Sequence, residues 1–222
     1  MLIICDKRLP QSAKLKLSKY GEVVEFLTNE IVYEAISGHP DIFFHAFESS
    51  IIYAPNTPSE YLKNIENTEF QMIAGEIALG KNYPTTALYN AVANENELFC
   101  NKNIIDKSVL KLHNRKRVVH FNQGYSACNI VVGKKSMLTS DLGICKKTNS
   151  QYFNPKDIIL EGANNGFIGG CCSVFDDKLF IIGALKFVRE SQIIIDFAST
   201  NELEIIELYQ GKLIDGGGII WI

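Results

Sequence analysis

Short apolar runs bounded by turn residues recur along the whole chain. Four of them follow a turn, at 50–54, 97–100, 136–139 and 178–182. Five more precede a turn, at 22–27, 70–74, 117–121, 157–161 and 204–208. Short apolar runs of this kind are typical of strands buried on both faces. The pattern therefore predicts an α/β protein built from many short strands.

The turns between these strands follow a common plan. A small or polar turn leads into an apolar segment at 38–44, 86–92, 124–132, 169–175 and 215–221. When Asp41, Asn90, Asn129, Cys172 and Gly218 are taken as equivalent, the steps between them are 49, 39, 43 and 46 residues. A period of this size indicates a repeat whose copies bury their strands only against each other.

Five strand–helix–strand units arranged in a ring predict a five-bladed α/β propeller, a single domain over residues 1–222. The apolar ends at 2–5 and 219–222 are expected to pair within one blade, which would leave no open edge. An ordinary doubly wound α/β sheet is the alternative.

Helix signals lie between the strands. Thr57, Pro58 and Glu60 form a capping-box pattern that predicts a helix over 58–67. Asp106 is the predicted cap of a helix that runs to about residue 115, and a shorter helix is expected over 141–149. The basic run 111–117 is interpreted as the solvated end of the helix that Asp106 begins.

Charge and composition argue against several functions. The 22 Lys and Arg residues against 25 Asp and Glu residues provide no basic face for nucleic acid. No apolar run approaches the roughly 20 residues that span a bilayer, and the start is too short for a signal peptide. The six cysteines contain no C-x-x-C pair, so neither a structural zinc site nor disulfides are expected. We expect a cytoplasmic protein with free thiols, and the oligomeric state stays open.

Three local motifs carry a resemblance to a known family. They are the stretch Gly38-His39-Pro40-Asp41, the stretch 169–174 with its adjacent cysteines, and the glycine-rich stretch 215–219. Together with the period, they resemble the penteins, the guanidine-modifying enzymes of the α/β propeller fold. This group includes arginine deiminase, agmatine deiminase and dimethylarginine dimethylaminohydrolase. The chain is similar to an uncharacterised family of this fold.

The resemblance implies a hydrolase of guanidino or amidino C–N bonds whose ligand is a small cation. His39 is then the general acid and base, Asp41 grips the guanidinium, and Cys171, preferred to Cys172, is the nucleophile. Attack requires a thiolate, and a nearby imidazolium or a bound cation lowers the thiol pKa from about 8.5. No metal or organic cofactor is implied.

Polar residues at the turns are expected to line a central pocket, because the strands converge there. The candidates for substrate binding are Asn122, Asn129, Asn164 and Asp215. Asparagine is also common in turns because it tolerates positive φ, so part of this set has a purely structural explanation.

Two departures from the pentein pattern favour a second interpretation. The glycine-rich final unit carries the catalytic cysteine in the deiminases, but Ile220 and Trp221 stand there in this chain. The histidine motif also comes in the first repeat rather than after the middle. The alternative is therefore a non-catalytic binding protein, comparable to the pentein-fold translation initiation factor that binds the ribosome. The acidic balance argues against a ribosome as the partner.

Overall fold

The computed structural model describes residues 1–222 as short strands joined by short helices. The strands are β1 (Leu2–Asp6), β2 (Glu22–Phe26), β3 (Phe44–Phe47), β4 (Ser50–Tyr53), β5 (Gln71–Ala74), β6 (Val92–Ala93), β7 (Glu97–Cys100), β8 (Arg117–His120), β9 (Ile130–Val132), β10 (Met137–Thr139), β11 (Gln151–Tyr152), β12 (Ile158–Ile159), β13 (Cys172–Phe175), β14 (Lys178–Ile181), β15 (Glu204–Glu207), β16 (Leu213–Ile214) and β17 (Ile220–Trp221). The helices are α1 (Gln11–Leu17), α2 (Pro40–Phe43), α3 (Ser59–Glu66), α4 (Lys107–Leu112), α5 (Ser126–Asn129), α6 (Leu142–Thr148), α7 (Ile168–Cys171) and α8 (Ser191–Thr200).

Five three-stranded sheets share one strand order. They are β17-β1-β2, β3-β4-β5, β6-β7-β8, β9-β10-β11 and β13-β14-β15. In each sheet the first strand, here called the inner strand, runs antiparallel to the middle strand, and the third strand runs parallel to the middle one. The predicted mixed α/β fold with a repeated unit is confirmed.

The two ends of the chain meet in the same sheet. Ile3 of β1 lies opposite Trp221 of β17, and Ile4 lies opposite Ile220. Two backbone hydrogen bonds between Leu2 and Ile222, of 2.6 and 2.9 Å, extend the contact. The predicted pairing of the apolar ends is therefore confirmed, and it joins the first and last segments of the sequence.

One local prediction holds only in part, and another is wrong. The predicted strand 157–161 is confirmed only over Ile158–Ile159, and β12 pairs with β16 outside the five three-stranded sheets, because β11 already pairs with β10. The capping box also does not form. Pro58, rather than Thr57, is the N-cap of α3, and the Thr57 hydroxyl is buried without a hydrogen-bond partner. The extended backbone of Pro58 (ψ 133°) starts the helix one residue later than the pattern predicts.

The interpretation of the basic run 111–117 needs one correction. Its residue His113 is the C-cap of α4, but its ring is 2% exposed and not solvated. The Nε2 atoms of His113 and His45 lie 2.7 Å apart, and His45 Nδ1 lies 3.0 Å from the carbonyl of Ala91. Because that carbonyl only accepts, His45 carries its proton on Nδ1 and its Nε2 accepts from His113. The end of α4 is thereby tied to β3.

Aromatic side chains pack the sheets against their neighbours. The ring of Phe26, on β2, lies 5.0 Å from Phe43 and 5.4 Å from Phe44, which joins the first sheet to the second. The ring of Phe180, on β14, lies 4.5 Å from Trp221, which joins the fifth sheet to the first. Such pairs bury large apolar areas that a single unit leaves exposed.

The turns that precede the inner strands contact one another in series. Asp41 N donates to the Gly217 carbonyl (3.3 Å), Asn90 Nδ2 to the Asp41 carbonyl (3.0 Å), and Ala127 N to Asn90 Oδ1 (2.8 Å). Gly169 packs so closely on Ala127 that a Cβ there would lie 2.1 Å from its carbonyl oxygen. The Gly216 and Gly218 amides both donate to the Gly170 carbonyl, at 3.0 and 2.8 Å. The series thus brings all five turns together.

None of the helices has the length and apolar character needed to cross a bilayer.

Candidate functional site

His39 occupies the N-cap of α2, where the turn before the second sheet begins. Its backbone is extended (φ −76°, ψ 110°), as expected for a residue that precedes proline. The ring is 1% exposed, and Nδ1 lies 3.8 Å from Oδ1 of Asp215. Gly217 permits this position, because its φ is +68° and a Cβ there would lie 2.4 Å from the His39 Cβ.

Asp41 and Cys128 form the central contact of the site. The Cys128 thiol donates to Asp41 Oδ2 at 2.8 Å. Asn90, which is fully buried, holds both partners: its Nδ2 lies 3.0 Å from the Asp41 carbonyl and 3.2 Å from Cys128 Sγ. Its Oδ1 accepts from the backbone amide of Cys128 at 3.3 Å. One amide side chain therefore fixes the backbone of Asp41 and the thiol of Cys128 relative to each other.

Asp215 brings a second carboxylate to the cluster from the turn before β17. Its Oδ2 accepts from the Phe167 amide at 2.8 Å, and its Oδ1 accepts from the Gly217 amide at 3.1 Å. A Cβ on Gly170 would lie 1.8 Å from Oδ1, so the carboxylate rests directly on that glycine. Asp215 is thus held by backbone groups and faces His39.

Burial dominates the electrostatics of these groups. It raises the pKa of Asp41 to about 6, an effect that His39 and the Cys128 thiol partly offset and Asp215 reinforces. Burial, followed by the charges of Asp41 and Asp215, raises the pKa of Cys128 well above its usual value. Burial likewise raises the pKa of Asp215, and His39 opposes this shift. The thiol is therefore protonated at neutral pH, and a bound cation would lower all three pKa values.

Several polar atoms of the cluster are buried without a hydrogen-bond partner. They are both ring nitrogens of His39 and Oδ1 of Asp41. Buried polar groups are nearly always hydrogen-bonded in folded proteins, since an unmade bond costs about 1–3 kcal/mol. Three such atoms in one cluster mark a place suited to a polar ligand.

A cavity of about 480 Å³ reaches this cluster from the side of the strands. Its walls come from the inner strands of all five sheets, β3, β6, β9, β13 and β17. Asp41, Ala127, Gly169, Cys172, Gly217 and Gly218 line the end next to the turns. A cavity is therefore present among the inner strands, but of the predicted catalytic and binding residues only Asp41 lines it. Asp41 is the residue that the cavity and the buried cluster share.

Three tyrosines contact one another near the cluster. The hydroxyls of Tyr33 and Tyr125 lie 3.5 Å apart, and the Tyr125 hydroxyl lies 2.5 Å from Thr86 Oγ1. The Tyr83 ring is 5.8 Å from that of Tyr125. Burial raises the pKa of Tyr33, and the charges of Cys128, Asp215 and Asp41 add to the shift. The Tyr33 hydroxyl therefore lies within electrostatic range of the buried carboxylates.

The two adjacent cysteines of the fifth unit lie in different surroundings. Cys171, the predicted nucleophile, is fully buried in an apolar cluster, and its thiol donates to the Ile168 carbonyl at 3.4 Å. Its Sγ lies 3.9 Å from that of Cys172, and no hydrogen bond joins it to His39 or Asp41. Cys172 lines the cavity. Burial raises the pKa of Cys171 well above its usual value. The catalytic role of Cys171 stays a prediction.

The predicted binding residues separate into two groups. Asp215 joins His39 and Asp41 in the cluster. Asn129 is buried, but it is occupied structurally, since its Nδ2 donates to the Tyr125 carbonyl and its Oδ1 accepts from Ser140. Asn122 and Asn164 are exposed, and neither lines the cavity. For these three asparagines the binding role stays a prediction without a contact to the cluster.

Cys128 is the residue that sequence reasoning overlooked. Cys171, Cys128 and Asp41 each lie in the helical turn just before an inner strand, but at a different position. Cys171 is one residue before β13, Cys128 is two residues before β9, and Asp41 is three residues before β3. Successive residues of a helical turn point about 100° apart. Asn129 shares the position of Cys171 and also faces away from Asp41. The sequence repeat predicts extended chain at these positions. A prediction of a helical turn there would have indicated that Cys128, and not Cys171, faces Asp41.

Comparison with known proteins supports the pentein resemblance. The model of a family of unknown function, DUF6873, matches residues 4–220. No curated protein matches the chain in sequence.

Solved structures of similar fold are guanidine-modifying enzymes, which confirms the predicted fold family. SxtG, an amidinotransferase from Microseira wollei in the saxitoxin biosynthetic pathway, has a TM-score of 0.54 at 10% identity over 92% of this chain and 87% of its own. A dimethylarginine dimethylaminohydrolase from Pseudomonas aeruginosa, complexed with citrulline, has a TM-score of 0.53 at 8% identity over 93% and 92%. A dimethylarginine dimethylaminohydrolase adduct with S-methyl-L-thiocitrulline has a TM-score of 0.51 at 7% identity over 93% and 92%. At these identities the likeness concerns the fold.

Proposed function

The chain belongs to the family of unknown function DUF6873, and we propose that it binds a guanidinium or amidinium group at Asp41 and hydrolyses its C–N bond. The observation that carries the proposal is the contact between the Cys128 thiol and the Asp41 carboxylate, in a buried cluster that also holds His39 and Asp215. Two proteins of similar fold, an amidinotransferase and a dimethylarginine dimethylaminohydrolase, have names that describe action on groups of this class. The fold likeness and the cluster support the same chemistry.

The proposal includes a closed five-bladed propeller. Five sheets of one strand order, the pairing of β1 with β17, the series of turn contacts and the single cavity among the inner strands all support it. In this arrangement, turns that lie far apart in sequence converge on one axis.

Asp41 is the group suited to hold the cation. Its pKa of about 6 leaves it mostly ionised at neutral pH, and its Oδ1 has no partner in the protein. A planar guanidinium or amidinium offers parallel N–H donors that match a carboxylate. Asp215 has both oxygens bonded to backbone amides, so its part is to face His39 and to add negative potential. The cation then lowers the pKa of the adjacent thiol, and binding releases the thiol proton to solvent.

The proposed reaction passes through a covalent intermediate on Cys128. The Cys128 thiolate forms a C–S bond to the central carbon of the bound cation, which gives a neutral tetrahedral adduct. His39, as the imidazolium, gives its proton to one nitrogen; that C–N bond breaks, a neutral amine leaves, and a thiouronium cation remains on the sulfur. Water attacks the same carbon and gives a proton to His39. The C–S bond breaks to restore the thiolate, and the urea or amide product loses one proton.

Cys128 takes the place of Cys171 in this scheme for a geometric reason. A carbon held against the Asp41 carboxylate lies beside the Cys128 sulfur, because that sulfur is 2.8 Å from Asp41 Oδ2. Cys171 Sγ is instead bonded within its own helical turn. Cys172 lines the cavity and is therefore the main alternative to Cys128 as the nucleophile.

Affinity labelling tests the proposal. The native protein is treated with 2-chloroacetamidine, an amidinium cation, and in parallel with 2-chloroacetamide, its neutral isostere, and modified cysteines are identified by mass spectrometry. We expect Cys128 to react with the cation at least tenfold faster than with the amide, and Asp41→Asn to abolish this preference. Cys5→Ser provides a matched control, because Cys5 is also fully buried but lies in another apolar cluster.

The outcomes separate the hypotheses. Selective labelling of Cys171 or Cys172 would remove Cys128 from the mechanism and restore the sequence-based prediction. Equal reaction of both reagents at every cysteine would refute a cation site at Asp41. Selective labelling of Cys128 with no release of amine from any guanidine or amidine would favour the binding protein, an alternative that the protonated state of Cys128 supports.

A further inference from the structure

We infer that the site selects guanidines and amidines that carry no carboxylate, with the carbon chain of the ligand lying in the central cavity. This inference rests on the proposed function, because it places the cationic end of the ligand at Asp41. The cavity leads from Asp41 along the inner strands, so the walls of the cavity determine which tails are accepted.

The lining of the cavity contains no basic residue. Its charged members are Asp41, at the end next to the turns, and Glu48, at the exposed turn between β3 and β4. His45 also lines the cavity, but burial lowers its pKa to about 3, so it is neutral at physiological pH. A carboxylate in this cavity would lose its hydration and meet no compensating cation.

Two lysines that lie beside lining residues are already engaged. The Lys116 ammonium lies 4.2 Å from the centre of the Phe47 ring, but it donates to the carbonyls of Asn94 and Glu95, both at 2.7 Å. Lys178, opposite Phe175 in its sheet, pairs with Asp177 and Glu204. Both ammonium groups are thus held by acceptors of the protein itself, and neither residue lines the cavity.

The groups that border the cavity suit an uncharged or cationic tail. All five inner strands are edge strands, so each has a row of backbone groups without a strand partner. Apolar side chains, among them Phe175 and Trp221, line the cavity as well. From Phe44 to Phe47, β3 extends about 10 Å, which is the length of a four-carbon guanidine with a terminal group. An ammonium on such a tail would end near Glu48.

Three matched probes test the inference by isothermal titration calorimetry on the full chain. They share a guanidinium and a four-carbon chain, and they end in hydrogen, ammonium or carboxylate: butylguanidine, agmatine and 4-guanidinobutanoate. We expect the first two to bind, and the carboxylate to bind at least tenfold more weakly. Equal or tighter binding of 4-guanidinobutanoate would overturn the inference while leaving the cation site intact. Binding of none of the three would refute the proposed function instead.

A charge reversal at the mouth supplies a second readout. Glu48→Lys, at an exposed position, is expected to weaken agmatine at least threefold and to improve 4-guanidinobutanoate by a similar factor. Glu22→Lys is the matched control, because Glu22 is exposed on β2 and does not line the cavity. If Glu48→Lys leaves the ratio of the two affinities unchanged, or Glu22→Lys shifts it equally, the tail does not extend along the cavity.

Discussion

The buried carboxylate of Asp41 makes the fold less stable at neutral pH than it is without that charge. A carboxyl whose pKa is higher in the folded protein than in the unfolded chain stabilises the fold when it is protonated, below pH 3.8. It loses this contribution as the pH rises through about 6. A rise from 3.8 to about 6 corresponds to about 3 kcal/mol. Asp41→Asn has no such titration.

Urea unfolding of Asp41→Asn and of the natural protein from pH 3.5 to 8 measures this difference. We expect the free energy of unfolding of the variant, relative to the natural protein, to increase by about 3 kcal/mol between pH 3.5 and pH 7. Effects that do not depend on pH, such as a new unpaired amide N–H, shift the whole curve and leave this increase unchanged. Asp196→Asn, on the exposed part of α8, should differ by less than about 0.5 kcal/mol at any pH. A difference that stays flat, or falls with rising pH, would refute the argument that burial dominates at Asp41.

Three further changes test other contacts. Gly217→Ala should destabilise the protein by at least ~2 kcal/mol in urea, because its φ is +68° and its Cβ would lie 2.4 Å from His39 Cβ. Gly143→Ala should change stability little, because its Cβ would meet only Asp141 Oδ1, a side-chain atom 3.0 Å away. Asn90→Ala should lower the free energy of unfolding by about 2–5 kcal/mol, since it removes a hydrogen-bond partner of Asp41, Ala127 and Cys128. Asn94→Ala, in the turn between β6 and β7, should lower it by less than half of that. Equal losses of stability would contradict the central role of Asn90. Burial lowers the pKa of His113 to about 4, so the natural protein loses stability as the pH falls from 6.5 to 4. His113→Asn should reduce this loss by up to about 3 kcal/mol in the same assay. An unchanged dependence of the unfolding free energy on pH would contradict a buried neutral pair of His45 and His113.

The strands were predictable because their signal is local. An apolar run of four to six residues between turn residues indicates a buried strand wherever it stands, and β4, β7, β10 and β14 lie where the pattern placed them. The run 157–161 shows the limit of this signal. Its composition suits a strand, but its partner is not written in its own residues: β11 occupies the edge of β10, and Ile158 and Ile159 pair with Leu213 and Ile214.

The site was predictable only in part, because its contacts join distant turns. Cys128 and Asp41 are 87 residues apart, and the thiol is chosen by the direction in which a single helical turn points its side chains. Period and motifs identify His39 and Asp41, but they do not distinguish a cysteine that faces Asp41 from one that faces an apolar core.

From its residues alone the chain specifies a repeat of strand and turn, near-neutral charge, free thiols and a histidine–aspartate pair at the head of one unit. Each of these properties follows from composition or from neighbours in sequence. The tertiary structure decides which turns meet, which thiol reaches the carboxylate and how strongly burial shifts the pKa values. Those outcomes depend on packing between units, and desolvation exists only once the five turns have closed over one another.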